Sequence, residues 1–262
     1  MLIGHLDPPV VPGELWSSWN LDIPLCLALV CALVVGRRHP AFVAGIVALA
    51  VALVSPLDAL SSSLASAHMV QHLLLITVAA PLLALTARTV LERLRLRSPQ
   101  LRTFQNPIGW ALVAAVVLWG WHAAVLYEAA LRNDLLHRLE HVTLLATALL
   151  SWLAILSRGA SGLGLLVLFG LSVQSGLLGV LMTFAPTSWY PTYAGRTAAW
   201  GMSPVADQQL AGVIMWVPGG GAYLVAALAL LMSLLSETGD GMGRGTHSST
   251  QAPEIGSTSS SE

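Results

Sequence analysis

The sequence predicts an all-α, polytopic membrane protein, a bundle of seven transmembrane helices with the N-terminus outside and the C-terminus cytoplasmic. Three observations carry this. The 262 residues are 55% hydrophobic and only 10% charged, where soluble domains are nearer one quarter charged. Mean hydropathy is +0.73. The apolar residues fall into seven runs approaching the roughly 20 residues that span a hydrocarbon core.

The runs are 22–36, 40–57, 64–87, 107–127, 137–156, 163–184 and 207–235. The first is short and extends through Trp16 and Trp19, which suit the interface. Residues 1–20 form an outer segment, acidic and proline-rich, without the features of a cleaved signal peptide. The membrane domain covers 21–235 and includes a basic interfacial segment, 88–104. The Gly/Ser/Thr-rich tail 236–262 is expected to be disordered and cytoplasmic. In Trp216–Gly221, a proline and three glycines inside the seventh run predict either a bend or, as the preferred reading, close helix packing.

Arginine sets the orientation. All twelve basic residues are arginine. Loops 1–2, 3–4 and 5–6 with the C-terminal tail hold nine of them, and the opposite side holds only Arg132, Arg138 and Arg196. The positive-inside rule makes the nine cytoplasmic and so orients the multi-pass chain. The absence of lysine excludes a lysine Schiff base. The near-neutral balance gives no sign of nucleic-acid binding, so the lipid bilayer is the first partner. Cys26 and Cys31 match no metal spacing and read as packing residues.

On that map five of the eight histidines share the outer layer. His68 and His72 lie at the start of run three, His122 at the end of run four, and His137 and His141 at the start of run five. Residues four apart share one helix face, so each H-x-x-x-H pair presents two imidazoles together. Ionisable groups at membrane depth are costly and point to function. Imidazole suits zinc, copper, iron and nickel, and thioether favours Cu(I). Met215 and Met69 are further candidate ligands, as are the carboxylates nearby. Glu140 and Gln71 can orient imidazoles or face solvent. Asp58 and Asp207 can cap helices or attract a cation. Copper is the favoured cofactor if Met69 or Met215 reaches the pocket, with haem held by the histidine pairs as the alternative. A metal-free structural scaffold is a further reading. A proton pathway is disfavoured, since the inner halves of the runs carry almost no ionisable groups. No nucleotide-binding or hydrolase motif appears, and no enzymatic activity is expected.

These residues resemble the CtaG-type family of cytochrome c oxidase assembly proteins. The likeness rests on SPLD (55–58), HMVQHLLL (68–75) with AAPLLAL after it, and Trp121-His122 with LYEAAL (126–131). It continues through HRLEHVTLL (137–145) and DQQLAGVIMW (207–216). Two positions depart: the family pattern carries proline where this chain has Ala124, and an aromatic residue where it has Ser151. The resemblance implies a role in maturing the haem–copper oxidase of the respiratory chain, with copper passed to an oxidase subunit or a copper chaperone. It also implies that the five outer-layer histidines are the metal residues.

Overall fold

The computed structural model describes residues 9–95 and 106–247, with backbone only over 90–95 and 237–247. Among them every regular element is helical. In chain order these are α1 (Ile23–Gly36), α2 (Pro40–Leu53), α3 (Pro56–Ser61) and α4 (Ala65–Leu73). A π-helical turn (Leu74–Ala79) joins α4 to α5 (Ala80–Arg95). There follow α6 (Pro107–His122), α7 (Ala124–Arg132), α8 (Asp134–Leu156), α9 (Gly162–Thr183) and α10 (Pro204–His247).

Among the described residues four stretches are long and apolar enough to cross a membrane: Ala65–Thr89, Asp134–Leu156, Gly162–Thr183 and Pro204–Ser236. The bent pair α6–α7 makes a fifth, and α1 and α2 are shorter apolar helices.

Local chemistry explains most helix starts. Asp22 accepts from the Leu25 amide, Ser55 from Leu57, Asn106 from Gly109, Asn133 from Leu135 and Leu136, and Ser161 from Gly164. Proline sits in the first helical turn of α1, α2, α3 and α6, where its missing N–H costs nothing. The second run stops at Leu53 rather than continuing to Leu57, because Pro56 disfavours helical backbone at Ser55 and Ser55 caps a new helix.

The fourth run is not one helix to Tyr127. It breaks at Ala123, whose ψ is 130°, and α7 leaves at 71° to α6. The Tyr190 hydroxyl donates to the His122 carbonyl at 3.0 Å, replacing an intrahelical partner at the break. Ala124 is the first residue of α7, the position where the family's proline is best tolerated.

In the π turn, backbone carbonyls gain side-chain donors: Thr77 Oγ1 bonds Leu73 O at 2.8 Å and Trp152 Nε1 bonds Ile76 O at 3.0 Å. α5 runs to Arg95, so the first part of the basic segment continues the helix of the third apolar run; residues 96–105 lie outside the described residues. α10 likewise runs past Ser236 to His247. No proline follows Pro218 before residue 248, and the glycines there weaken a helix without forbidding it. Residues 248–262 also lie outside the described residues.

Of the three glycines in the seventh run's Trp216–Gly221 stretch, Gly219 is closely packed, whereas a Cβ on Gly221 would meet no atom within 4 Å. α10 stays helical through Pro218, and a Cβ on Gly219 would lie 3.1 Å from Leu73 Cδ1. The tightest approach lies elsewhere on α10: a Cβ on Gly212 would lie 2.5 Å from the Gly179 carbonyl of α9.

Candidate functional site

The two H-x-x-x-H pairs meet. α4 and α8 present His68, His72, His137 and His141 to one another at one end of the bundle, with all four rings buried. The His68 ring centroid lies 4.2 Å from that of His72, 5.4 Å from His137 and 6.2 Å from His141. His72 and His141 are 5.5 Å apart. His122, at the end of α6, closes the cluster 5.7 Å from His72.

Glu140 sits at the centre, fully buried. Its Oε1 lies 3.6 Å from Nε2 of both His68 and His72. The solvated reading of Glu140 therefore fails: residues 137, 140 and 141 share the helix face turned toward the α4 histidines. One ligand atom from each of His68, His72 and His141 falls within 4.8 Å of the others, and the same holds for His68, His137 and Glu140. Both ring nitrogens of His68 and of His72, and both oxygens of Glu140, have no hydrogen-bond partner among the described residues. Buried polar atoms are ordinarily satisfied. Two donors bound to one tetrahedral metal lie roughly 3.4 Å apart, close to the separations seen here. The donor set thus fits an N/O-ligated cation.

The aspartates hold the frame. Asp207 opens α10 but caps α4, accepting from Ala65 N at 2.6 Å, Ser66 N at 3.1 Å and Ser66 Oγ at 2.5 Å. α10 has its own cap, Ser203, and Leu64 before α4 has no side chain able to cap. Asp58 accepts from Gln71 Nε2 at 2.7 Å and Asn20 Nδ2 at 2.8 Å. It thereby fixes Gln71, which lies between the two α4 histidines in sequence; Ser55 is the cap of α3. Burial pushes the Asp58 carboxyl up to about 6, against both donors. Gln71 thus braces α4 through Asp58 and the Ala52 carbonyl.

Met69 faces His122, with 3.2 Å between Sδ and Nε2. Met215 lines the same cavity, beside Met69, His72 and His122. A second cavity, lined by Asp22, Asp58, Asp134, Arg138, His137 and His141, reaches the cluster from the other side. Arg138 pairs with Asp22 at 2.7 Å there.

A tyrosine lid was not expected from the sequence. Tyr127 lies 5.0 Å from the His68 ring and stacks on Tyr190 at 3.8 Å. Its hydroxyl meets that of Tyr193 at 3.0 Å, and Tyr193 donates to Ser61 O at 2.9 Å. Burial pushes the Tyr190 and Tyr193 phenols above the ordinary range, so both remain neutral donors. Tyr190-x-x-Tyr193 was the available signal, and Tyr127 follows closely after His122 in sequence, across the break at Ala123.

An all-helical apolar bundle with a buried imidazole–carboxylate centre at one end defines a membrane protein built around a polar core. A sequence model of the family described as "Cytochrome c oxidase caa3 assembly factor (Caa3_CtaG)" matches residues 31–237. The chain belongs to that family, and the matched range contains every residue of the cluster. No curated protein and no solved structure matches the chain.

Proposed function

We propose that the chain binds copper in the cluster of His68, His72, His137, His141 and Glu140 and passes it to a haem–copper oxidase subunit, or to a copper chaperone, during oxidase assembly. One observation carries the reading: Glu140 Oε1 stands 3.6 Å from Nε2 of both His68 and His72, too long for a hydrogen bond and suited to donors sharing an ion. Family membership supports the assembly role.

In this reading seven helices cross a bacterial plasma membrane, with α1, α2 and the bent α6–α7 unit joining the four long spans. The cluster faces outward and the arginine-rich loops face the cytoplasm. The acidic cavity beside His137 and His141 is the access route, so the ion need not cross the apolar layer. Exchange of imidazole ligands suffices for transfer, and no covalent step on a substrate is assigned.

Haem is the second reading. The ring packing favours a compact ion, because across the two helices His68 lies 5.4 Å from His137 and His72 5.5 Å from His141, ring to ring, which leaves no room for a planar macrocycle between them.

The test is the metal content of detergent-purified protein after copper loading, for the wild type and a His72→Ala/His141→Ala variant. Copper kept by the wild type and lost by the folded variant is expected. Absence of copper from both overturns the reading in favour of a metal-free scaffold, and a pyridine haemochrome spectrum would identify haem.

A further inference from the structure

Beside the imidazole–carboxylate cluster lies a second donor arrangement of different chemistry. His122 Nδ1 is 2.8 Å from the Leu118 carbonyl. A carbonyl only accepts, so Nδ1 carries the proton and Nε2 of the neutral ring carries a lone pair. That nitrogen points at Met69 Sδ, 3.2 Å away. Sulfur is also a lone-pair donor, and at best a weak hydrogen-bond acceptor. Both side chains are buried, 2% exposed each. Two electron donors thus face one another without a strong hydrogen bond to join them.

The surroundings match. His72 and Met215 line the cavity onto which His122 and Met69 open. The remaining lining is largely apolar, with Leu118, Leu144, Leu171 and Trp152 among it. The first cluster offers imidazole and carboxylate; this one offers imidazole and thioether, with no Asp or Glu in the cavity wall. Thioether ligation selects a soft, monovalent ion over a divalent one.

We infer that Met69 Sδ and His122 Nε2 form a second, soft-metal station that takes Cu(I), with His72 standing between it and the Glu140 cluster. This rests on the copper reading above and extends it from one site to two neighbouring sites of graded softness. Bond lengths of roughly 2.3 Å to sulfur and 2.0 Å to nitrogen require the pair to open by only a few tenths of an ångström at a tetrahedral angle. His72 lies 3.6 Å from Glu140 and 5.7 Å, ring to ring, from His122. A rotation of one side chain therefore carries an ion from one donor set to the other.

The experiment is copper-edge X-ray absorption on full-length protein with Cys26→Ser and Cys31→Ser, so that methionine supplies the only sulfur. It is paired with anaerobic Cu(I) and Zn²⁺ competition titrations of the same protein and its Met69→Leu variant. The expected result is a sulfur neighbour in the Cu(I)-loaded parent that disappears in Met69→Leu. Cu(I) affinity falls about tenfold or more while Zn²⁺ affinity is unchanged. Selenomethionine-substituted parent protein, in which selenium must replace that sulfur neighbour, shows that a methionine supplies it without relying on the variant's folding, and a sulfur neighbour that persists in Met69→Leu overturns the assignment to Met69. Bound Cu(I) with only nitrogen and oxygen neighbours overturns the soft station and leaves the copper reading intact. Failure to bind either ion overturns both.

Discussion

Glu140 on α8 and His72 on α4 are 3.6 Å apart, Oε1 to Nε2, in the interior of the bundle. A carboxylate at that distance from imidazole makes no hydrogen bond, yet burial has removed water from both. Such an arrangement is costly unless a proton or a cation joins the groups. The same oxygen is equidistant from His68, so one carboxylate serves two rings one helical turn apart. Glu140→Gln keeps the shape and removes the charge. Its expected effect is a loss of about 10- to 100-fold in Zn²⁺ and Cu²⁺ affinity with little change in thermal stability. Competition titration against a chromophoric chelator measures it, and unchanged affinity would remove Glu140 from the site.

Asp207 links the ends of two helices distant in sequence. Its three accepted bonds to Ala65 and Ser66 orient the first turn of α4, which leads directly to His68. Loss of a capping side chain costs about 0.5–2 kcal/mol, and a buried cap belongs at the upper end. Asp207→Ala is expected to lower the unfolding temperature in detergent and weaken metal binding together. Asp207→Asn, which keeps one oxygen, recovers part of both losses. A variant that weakens binding at unchanged stability would instead assign Asp207 to the ion.

How far the sequence shows this site follows from where its signals are local. His68, His72, His137 and His141 are legible because a spacing of four on an apolar helix has one geometric meaning, and the arginine-poor side gives their common depth. The role of Asp207 is not legible, because its partners lie more than 140 residues away, so no local pattern decides between a cap and a cation-attracting charge or shows which helix it caps. The break at Ala123 is hidden for a related reason. Two alanines favour helix, and the hydroxyl that stabilises the break comes from Tyr190. Glu140 sits one residue from His141, but only the packing of α8 on α4 decides whether it faces solvent or the rings.

Asp58 gives the stability a pH dependence. Its folded carboxyl is raised to about 6 from an unfolded value near 4. The folded state therefore holds its proton more tightly than the unfolded state, and this group favours folding most at acid pH. As pH rises from about 4 to about 6 the unfolded chain ionises first and stability falls, by at most about 3 kcal/mol; above 6 the loss is complete. Asp58→Asn removes that slope. Melting temperatures of both proteins between pH 4 and 7 should diverge in slope only within this window, and parallel curves would show that Asp58 titrates normally.

The α9–α10 contact depends on two glycines. A methyl group on Gly212 would fall 2.5 Å from both the Gly179 carbonyl and Thr183 Oγ1, and backbone cannot yield as a flexible side chain can. Gly212→Ala should therefore push the helices apart and destabilise the protein by about 1–3 kcal/mol. Gly221→Ala, with nothing within 4 Å of the added carbon, should be neutral or slightly stabilising, since alanine is the better helix former. Thermal unfolding of the two variants separates these outcomes; equal behaviour would show that the helices do not touch there.

Arg138 stands where the acidic cavity meets the surface. Its side chain is 58% exposed, and its guanidinium pairs with the buried Asp22 at 2.7 Å. Asp22, Asp58 and Asp134 make the cavity wall attractive to a cation, whereas Arg138 places one positive charge on the same wall. Arg138→Gln keeps a donor for Asp22 and removes that charge. Coulomb steering in a low-dielectric cleft then favours faster uptake, by several-fold at low ionic strength, and salt screens the difference away within a Debye length of about 10 Å at 0.1 M. Stopped-flow binding of Co²⁺ from 10 to 500 mM salt is the measurement, using cobalt because its ligand-field bands report coordination directly. If the variant and the wild type take up Co²⁺ at the same rate at every salt concentration, the ion reaches His137 and His141 by another path, and the neighbouring cavity beside His122 and Met69 becomes the route to test.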